Sequence, residues 1–275
     1  YLAFARQGVQ TGLTPADFVF LRYATAGVLM VPWLLAHGPA QLGGVGWGRG
    51  VILALFAGPL FIALGVGGYV FAPLAHGAVI QPATITIATM VVAWLVLGEA
   101  MPRHRIGGIA IIVAGLVLIA AATGGAAGPL AWKGDLLFVA AGLFWMVFTL
   151  LLRRWQIGAI PATAAVAVVS ALAVIPAFAA FGTFERLAAI PLSALLTQIA
   201  VQGLLSGVLA VVAYGRAVEH LGAARAALFP ALVPAAALIL GLPVTGENPS
   251  GPEWLGAALA TLGLIVAMGA LRRRP

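Results

Sequence analysis

Residues 74–99 read LAHGAVIQPATITIATMVVAWLVLGE, and 148 positions later residues 222–247 read GAARAALFPALVPAAALILGLPVTGE. Each run is long enough for a helix crossing a bilayer core, which takes roughly 20 residues. Each carries a proline at the same place, Pro82 and Pro230, and each closes on Gly-Glu, Gly98-Glu99 and Gly246-Glu247. Continuous hydrophobicity of this length predicts helix, because an open strand in lipid leaves its backbone polar groups unsatisfied. Neither run shows the alternation of a transmembrane barrel strand.

The same offset holds outward from these runs without gaps. Gly115-Leu116 meets Gly263-Leu264, and Gly67, Ala75, Ala78 and Gly108 meet Gly215, Ala223, Ala226 and Gly256. Upstream, Arg6 meets Arg154. Glycine and alanine matches are cheap in so Gly/Ala-rich a chain; a proline and a Gly-Glu pair in one register are not. The sequence therefore reads as a duplication, with a first repeat over 1–123 and a second over 124–275. One copy covers five helices, an odd number, so the second must enter the membrane in the opposite sense. That is the inverted-repeat plan of secondary transporters.

Composition agrees. Of 275 residues, 63% are hydrophobic and 8% charged, against about 45–50% and about 25% in soluble domains. The bilayer must be the solvent. The predicted architecture is an all-α membrane protein of ten transmembrane helices: 1–12, 16–36, 50–72, 76–98, 106–123, 132–154, 161–182, 191–219, 223–245 and 253–271. The first is expected to be truncated, since helix six begins near Trp132 and its repeat partner would begin upstream of Tyr1.

The net charge of +7 comes from scattered arginines, which membrane topology explains better than nucleic-acid binding. With the N-terminus inside, the cytoplasmic connections hold Arg49, Arg103 with Arg105, Arg153 with Arg154, Arg225, and the tail Arg272, Arg273 and Arg274. The external ones hold Lys133 and Arg186 among Asp135, Glu185, Glu247 and Glu253. Lys/Arg excess marks the cytoplasmic side, so both termini are expected in the cytoplasm of a bacterium, the chain lying in its inner membrane.

Several classes fall away. The chain has no cysteine, hence no disulfide, thiolate metal site or iron–sulfur cluster. It has no Gly-x4-Gly-Lys-Ser/Thr loop, which removes an ATP-driven pump within the chain. It lacks the filter-like repeat or charged ring of an ion channel. His37, His76, His104 and His220 are dispersed, with no carboxylate at metal-ligand spacing. The main alternative, a membrane-embedded enzyme acting on a lipid-linked substrate, is weakened accordingly; no metal or other cofactor is expected.

At this point the chain resembles the EamA-type ten-helix branch of the drug/metabolite transporter superfamily. The resemblance spans the whole chain. It rests on Pro15 with Leu21-Arg22, Gly134-Asp135-Leu136 with Trp145, the stretch 223–227 (Ala-Ala-Arg-Ala-Ala) leading to Pro230 and Pro234, and the two Gly-Glu closures. The first copy has Thr86 where the second has Pro234. Within the branch, Ala72-Pro73 and 75–78 (Ala-His-Gly-Ala) look like the subgroup of YddG-type aromatic amino acid exporters. The resemblance implies a non-enzymatic exporter of small organic solutes working by alternating access, monomeric, with a dimer as the alternative.

Polar and aromatic side chains at membrane depth are the candidate substrate contacts: Gln10, Tyr69, His76, Gln81, Trp145, Gln202, Ser206 and Tyr214. An amino acid zwitterion needs donors and acceptors, because its charges are costly in hydrocarbon. His76 opens helix four, where the helix dipole disfavours an extra proton. Gln81 adjoins Pro82, which frees a backbone carbonyl. Trp145 is mid-helix, away from the interfaces where aromatic belts form, and offers a stacking surface. Gln202 and Ser206 share a face that meets either solute or a neighbouring helix. Gln10 shares a face with Arg6, and Tyr214 lies near an interface. Arg22 reads as an anion contact or a structural arginine, the latter favoured. No carboxylate falls at the middle of a predicted span, and such a group is the usual requirement of proton coupling. Export without proton coupling is the expectation.

Overall fold

The computed structural model describes residues 1–98, 100–122, 128–182, 184–221 and 228–269. Fourteen α-helices and one π-helical segment account for most of them: α1 Leu2–Gln10, α2 Pro15–Ala36, α3 Trp47–Ala57, α4 Pro59–Phe71, α5 Leu74–Leu97, α6 Arg103–Ala122, α7 Ala131–Trp155, α8 Ala159–Phe181, α9 Phe184–Ala189, α10 Leu192–Gln198, the π segment Ile199–Leu209, α11 Ala210–Leu221, α12 Leu228–Ala231, α13 Val233–Thr245 and α14 Gly251–Ala267. Among the described residues, seven helical stretches are long and apolar enough to cross a membrane, counting α3 with α4, and α10 with the π segment and the start of α11. The helices α1, α13 and α14 are shorter.

Three predicted helices differ in detail, each for a local reason. The span foreseen over 50–72 is broken at Gly58. Pro59 brings no N–H to bond the carbonyl four residues back, and a side chain at Gly58 would collide with the carbonyl of Ala54. The span foreseen over 191–219 is α-helical at both ends and π-helical between, over Ile199–Leu209. The described part of the span foreseen over 223–245 turns at Leu232, two residues before Pro234. Residues 223–227 and Glu99 lie outside the described residues, as do Arg272, Arg273 and Arg274.

The chain forms two compact units. The first comprises Tyr1, Ala3–Gly67 and Val147–Gly215; the second comprises Leu2, Gly68–Met146 and Arg216–Pro275. Each draws on both the N-terminal and the C-terminal half of the chain. The breaks after Gly67 and after Gly215 lie 148 residues apart, at the repeat offset.

In the first unit α2 is the central helix. It starts with a capping box, Thr14 accepting from the Asp17 amide and Asp17 accepting from the Thr14 amide, which satisfies two otherwise orphaned donors. Its Gly27 abuts Ala171 of α8, where a side chain would not fit, and Thr25 and Ala26 lie against Gly203 and Gly207 of the π segment. Phe20 stacks on Phe178 at 4.1 Å, with Phe184 edge-on to both. The Tyr23 hydroxyl donates to the Ala57 carbonyl at 2.8 Å, tying α2 to the end of α3.

In the second unit α6 and α14 pack antiparallel through small residues. A Cβ on Gly115 would stand 2.6 Å from the carbonyl oxygen of Gly256, and one on Gly263 would stand 2.8 Å from that of Gly108. Gly108 and Gly256 lie 148 residues apart, as do Gly115 and Gly263. The two helices begin at equivalent positions, Arg103 and Gly251. The preceding ones end on equivalent left-handed glycines, Gly98 (φ 66°) and Gly246 (φ 68°). Ala83, Ile112, Ala231, Leu264 and Ala267 form the core beneath.

Many large apolar side chains, including Leu35, Leu95, Val96, Phe181 and Leu240, are exposed. On a soluble domain that would mark an aggregating surface; on apolar helices of this length it is the face that lipid covers.

Candidate functional site

The candidate side chains are spread over both units, with a polar cluster at His76 in the second and one at Arg22 in the first. In the second unit the chain turns at Pro73, whose extended backbone precedes α5. The Glu247 carboxylate, just past α13, accepts from the Leu74 amide at 2.8 Å and so caps α5. One turn into the helix His76 is fully buried. Its Nδ1 lies 2.6 Å from Oδ1 of Asp135 on α7. A carboxylate only accepts, so Nδ1 carries a hydrogen, and the ring's other nitrogen is Nε2. That Nε2 is buried and makes no hydrogen bond to a described residue.

Tyr69 lies nearby in sequence, buried, its ring edge-on to Phe138 at 4.9 Å. Its hydroxyl sits where a side chain on Gly77 would be, 2.5 Å from the Cβ position; only glycine leaves that room. Gln81 is buried on α5. Trp145 is half-buried on α7, three residues beyond Gly142, which packs on Thr84. Tyr69, His76, Gln81 and Trp145 thus belong to one unit.

In the first unit the cluster centres on Arg22, which is half-buried on α2. Its Nη1 donates to Ser206 Oγ at 3.0 Å and to the Gln202 carbonyl at 3.2 Å. The guanidinium carbon lies 5.9 Å from the centroid of the Tyr1 ring, within cation–π reach. Gln202 is buried, its Nε2 directed to Gln198 Oε1 at 3.4 Å. Gln198 in turn donates to the Phe4 carbonyl at 2.8 Å. Ser206 thus meets Arg22 of α2 through its hydroxyl, whereas Gln202 meets it through the backbone carbonyl. Gln10 ends α1 and is exposed. Tyr214 falls in α11, its side chain outside the described residues.

Two participants escaped the sequence. Asp135, counted among the external charges though the span foreseen over 132–154 includes it, lies in the second turn of α7 and meets His76. The two residues are 59 positions apart, and no spacing rule reaches that far; only Gly134-Asp135-Leu136 had drawn notice. Gln198 was missed because it sits one residue before the π segment, and nothing in its neighbours' periodicity marks it. Among the described residues no group of three or more His, Asp or Glu is placed to hold a metal ion.

A sequence model described as the EamA-like transporter family matches residues 1–121 and 132–269. No curated protein matches the chain. A solved crystal structure is similar over 99% of this chain and 95% of its own, with a TM-score of 0.63 and 20% identity. At that identity the likeness speaks for the fold alone.

Proposed function

Because the chain belongs to the EamA-like transporter family, it is a multi-pass membrane transporter of small molecules, and we propose that it exports small organic metabolites, aromatic amino acids in the sharpest form. Export proceeds by alternating access, without proton coupling, across a bacterial inner membrane with both termini in the cytoplasm. Ten helices in two inverted repeats over 1–123 and 124–275 carry it. The reciprocal contacts of Gly115 with Gly256 and of Gly263 with Gly108 support the inversion, since antiparallel equivalents swapping roles is what a twofold axis in the membrane plane produces.

One observation carries the solute reading: His76 is fully buried, held by Asp135 through Nδ1, and its buried Nε2 bonds to no described residue. A buried polar nitrogen left unbonded costs about 1–3 kcal/mol, a cost that a hydrogen-bonding group of a solute repays. Trp145, half-buried in the same unit, offers an aromatic face suited to a planar side chain. Membrane lipids cover the outward faces.

The test is counterflow in proteoliposomes of the full chain, with labelled amino acids, sugars and drugs, with and without a pH gradient. Labelled phenylalanine or tryptophan should exchange faster than alanine, sugars or cationic drugs. Selective counterflow of sugars or drugs would reject the aromatic assignment and keep the transporter; the absence of counterflow for every solute would reject export itself.

A further inference from the structure

Arg22 stands in α2 seven residues beyond Pro15, about 10 Å along the helix axis, and is half-buried. A cation at such a place is expensive unless an anion answers it. Among the described residues none does. Asp17 caps its own helix and lies 3.6 Å from Arg186. Asp135 holds His76, Glu247 caps α5, and Glu253 caps α14 through Ser250. The oxygens that meet Arg22 are neutral, Ser206 Oγ, the Gln202 carbonyl and the Tyr23 hydroxyl, and beside them lies the face of Tyr1.

The arrangement differs from snorkelling, in which the head reaches water or headgroups. Here the head is bound to the neighbouring π segment, and both of those hydrogen bonds leave from Nη1. The opposite edge of a guanidinium, Nε with Nη2, is the one that meets a carboxylate in a two-bond fork. Ser206 and Gln202 therefore hold the fork in place without neutralising it. The π segment contributes to this: π-turns are rare and gather at functional sites, and here one places Gln202 and Ser206 together on Arg22.

We propose that Arg22 is an anion-binding residue of this transporter and takes the carboxylate of its solute, with Ser206 as a positioning residue. The solutes are then carboxylates, amino acids or other organic acids, and not cationic drugs. The proposal deepens the export reading and rests on it for the word solute; the site itself can be tested without transport.

The experiment is thermal unfolding of the full chain in detergent with equal concentrations of phenylacetate, L-phenylalanine or phenethylamine, beside counterflow of labelled phenylalanine. A ligand that binds the folded state raises Tm. Both carboxylates should raise the Tm of the wild type and phenethylamine should not. Arg22→Gln should weaken the apparent affinity for the carboxylates by about tenfold or more, as losing a charged hydrogen bond does. Arg22→Lys keeps the charge but not the fork and should be weakened less, and Ser206→Ala less again. If Arg22→Gln does not fold, the order wild type, Ser206→Ala, Arg22→Lys decides. Stabilisation by phenethylamine equal to that by phenylacetate, a carboxylate shift undiminished in the Arg22 variants, or no carboxylate shift in the wild type each overturns the proposal. A carboxylate shift without counterflow rejects export and keeps the site; counterflow without a carboxylate shift rejects the site and keeps export.

Discussion

His76 Nδ1 lies 2.6 Å from Oδ1 of Asp135, the imidazole with no exposed surface and the carboxylate side chain 27% exposed. The pair joins the first turn of α5 to the second turn of α7, so it orients the ring and fastens two helices at once. Asp135→Ala leaves a buried imidazole unpaired at both nitrogens. It should cost about 1–3 kcal/mol of stability and depress phenylalanine counterflow, while Asp135→Asn, which keeps a carbonyl acceptor, should retain more of both. Thermal unfolding and counterflow of the two variants check this; an Ala variant as stable and active as Asn would remove the orienting role.

The close approach of α6 and α14 should resist even one methyl group. At Gly115 the obstacle is the Gly256 carbonyl, backbone that cannot rotate away. Gly115→Ala should therefore lower stability by about 1–3 kcal/mol, the usual cost of overpacking. Gly107→Ala on the same helix meets nothing within 4 Å and should gain up to about 1 kcal/mol from helix propensity. Unfolding midpoints of the two variants in detergent should move in opposite directions, and equal shifts would refute the packing argument.

The proposed inversion makes a geometric prediction that a cysteine-free chain is well suited to test. Ala100 and Asn248 are exposed and lie 148 residues apart, just past Gly98 and Gly246. Ala100→Cys should react with a membrane-impermeant maleimide from the cytoplasmic side, and Asn248→Cys from the external side. Labelling from the same side would exclude inversion.

Trp145→Ala should weaken aromatic solutes more than small ones. Stacking is worth about 0.5–1.5 kcal/mol beyond area burial, a factor of about two to twelve in apparent affinity. Competition of phenylalanine and of alanine against labelled tryptophan separates the two; an equal loss would take Trp145 out of the site.

Transport should continue with the pH gradient abolished. Four acidic side chains described within the helices sit in opening turns: Asp17 in the first turn of α2, Asp135 in the second of α7, Glu185 in the first of α9, Glu253 in the first of α14. A counterflow rate that collapses on adding protonophore, at fixed solute gradient, would show that protons are carried after all, with the His76–Asp135 pair as the first place to look.

What the sequence alone determined is what depends on composition and on order along the chain. Sixty-three per cent apolar residues leave no way to cover a soluble surface, and a run such as 74–97 has only the helix open to it in lipid, since the helix satisfies its own backbone. Pro82 and Gly98 mark where that helix bends or stops, and both are read directly. Partnership between distant residues was decided by the tertiary structure. Asp135 looks like a loop acid until α7 brings it to His76. Gln202 and Ser206 look equally suited to solute or to a helix until Arg22 is found against them. The break at Gly58 needs a knowledge of where the Ala54 carbonyl falls, and the π segment leaves no mark in the hydrophobic pattern. In a bilayer every outward residue is apolar whichever way a helix is turned, so rotation about the helix axis, the quantity that brings such pairs together, is set by close packing at glycines and by a few polar bonds.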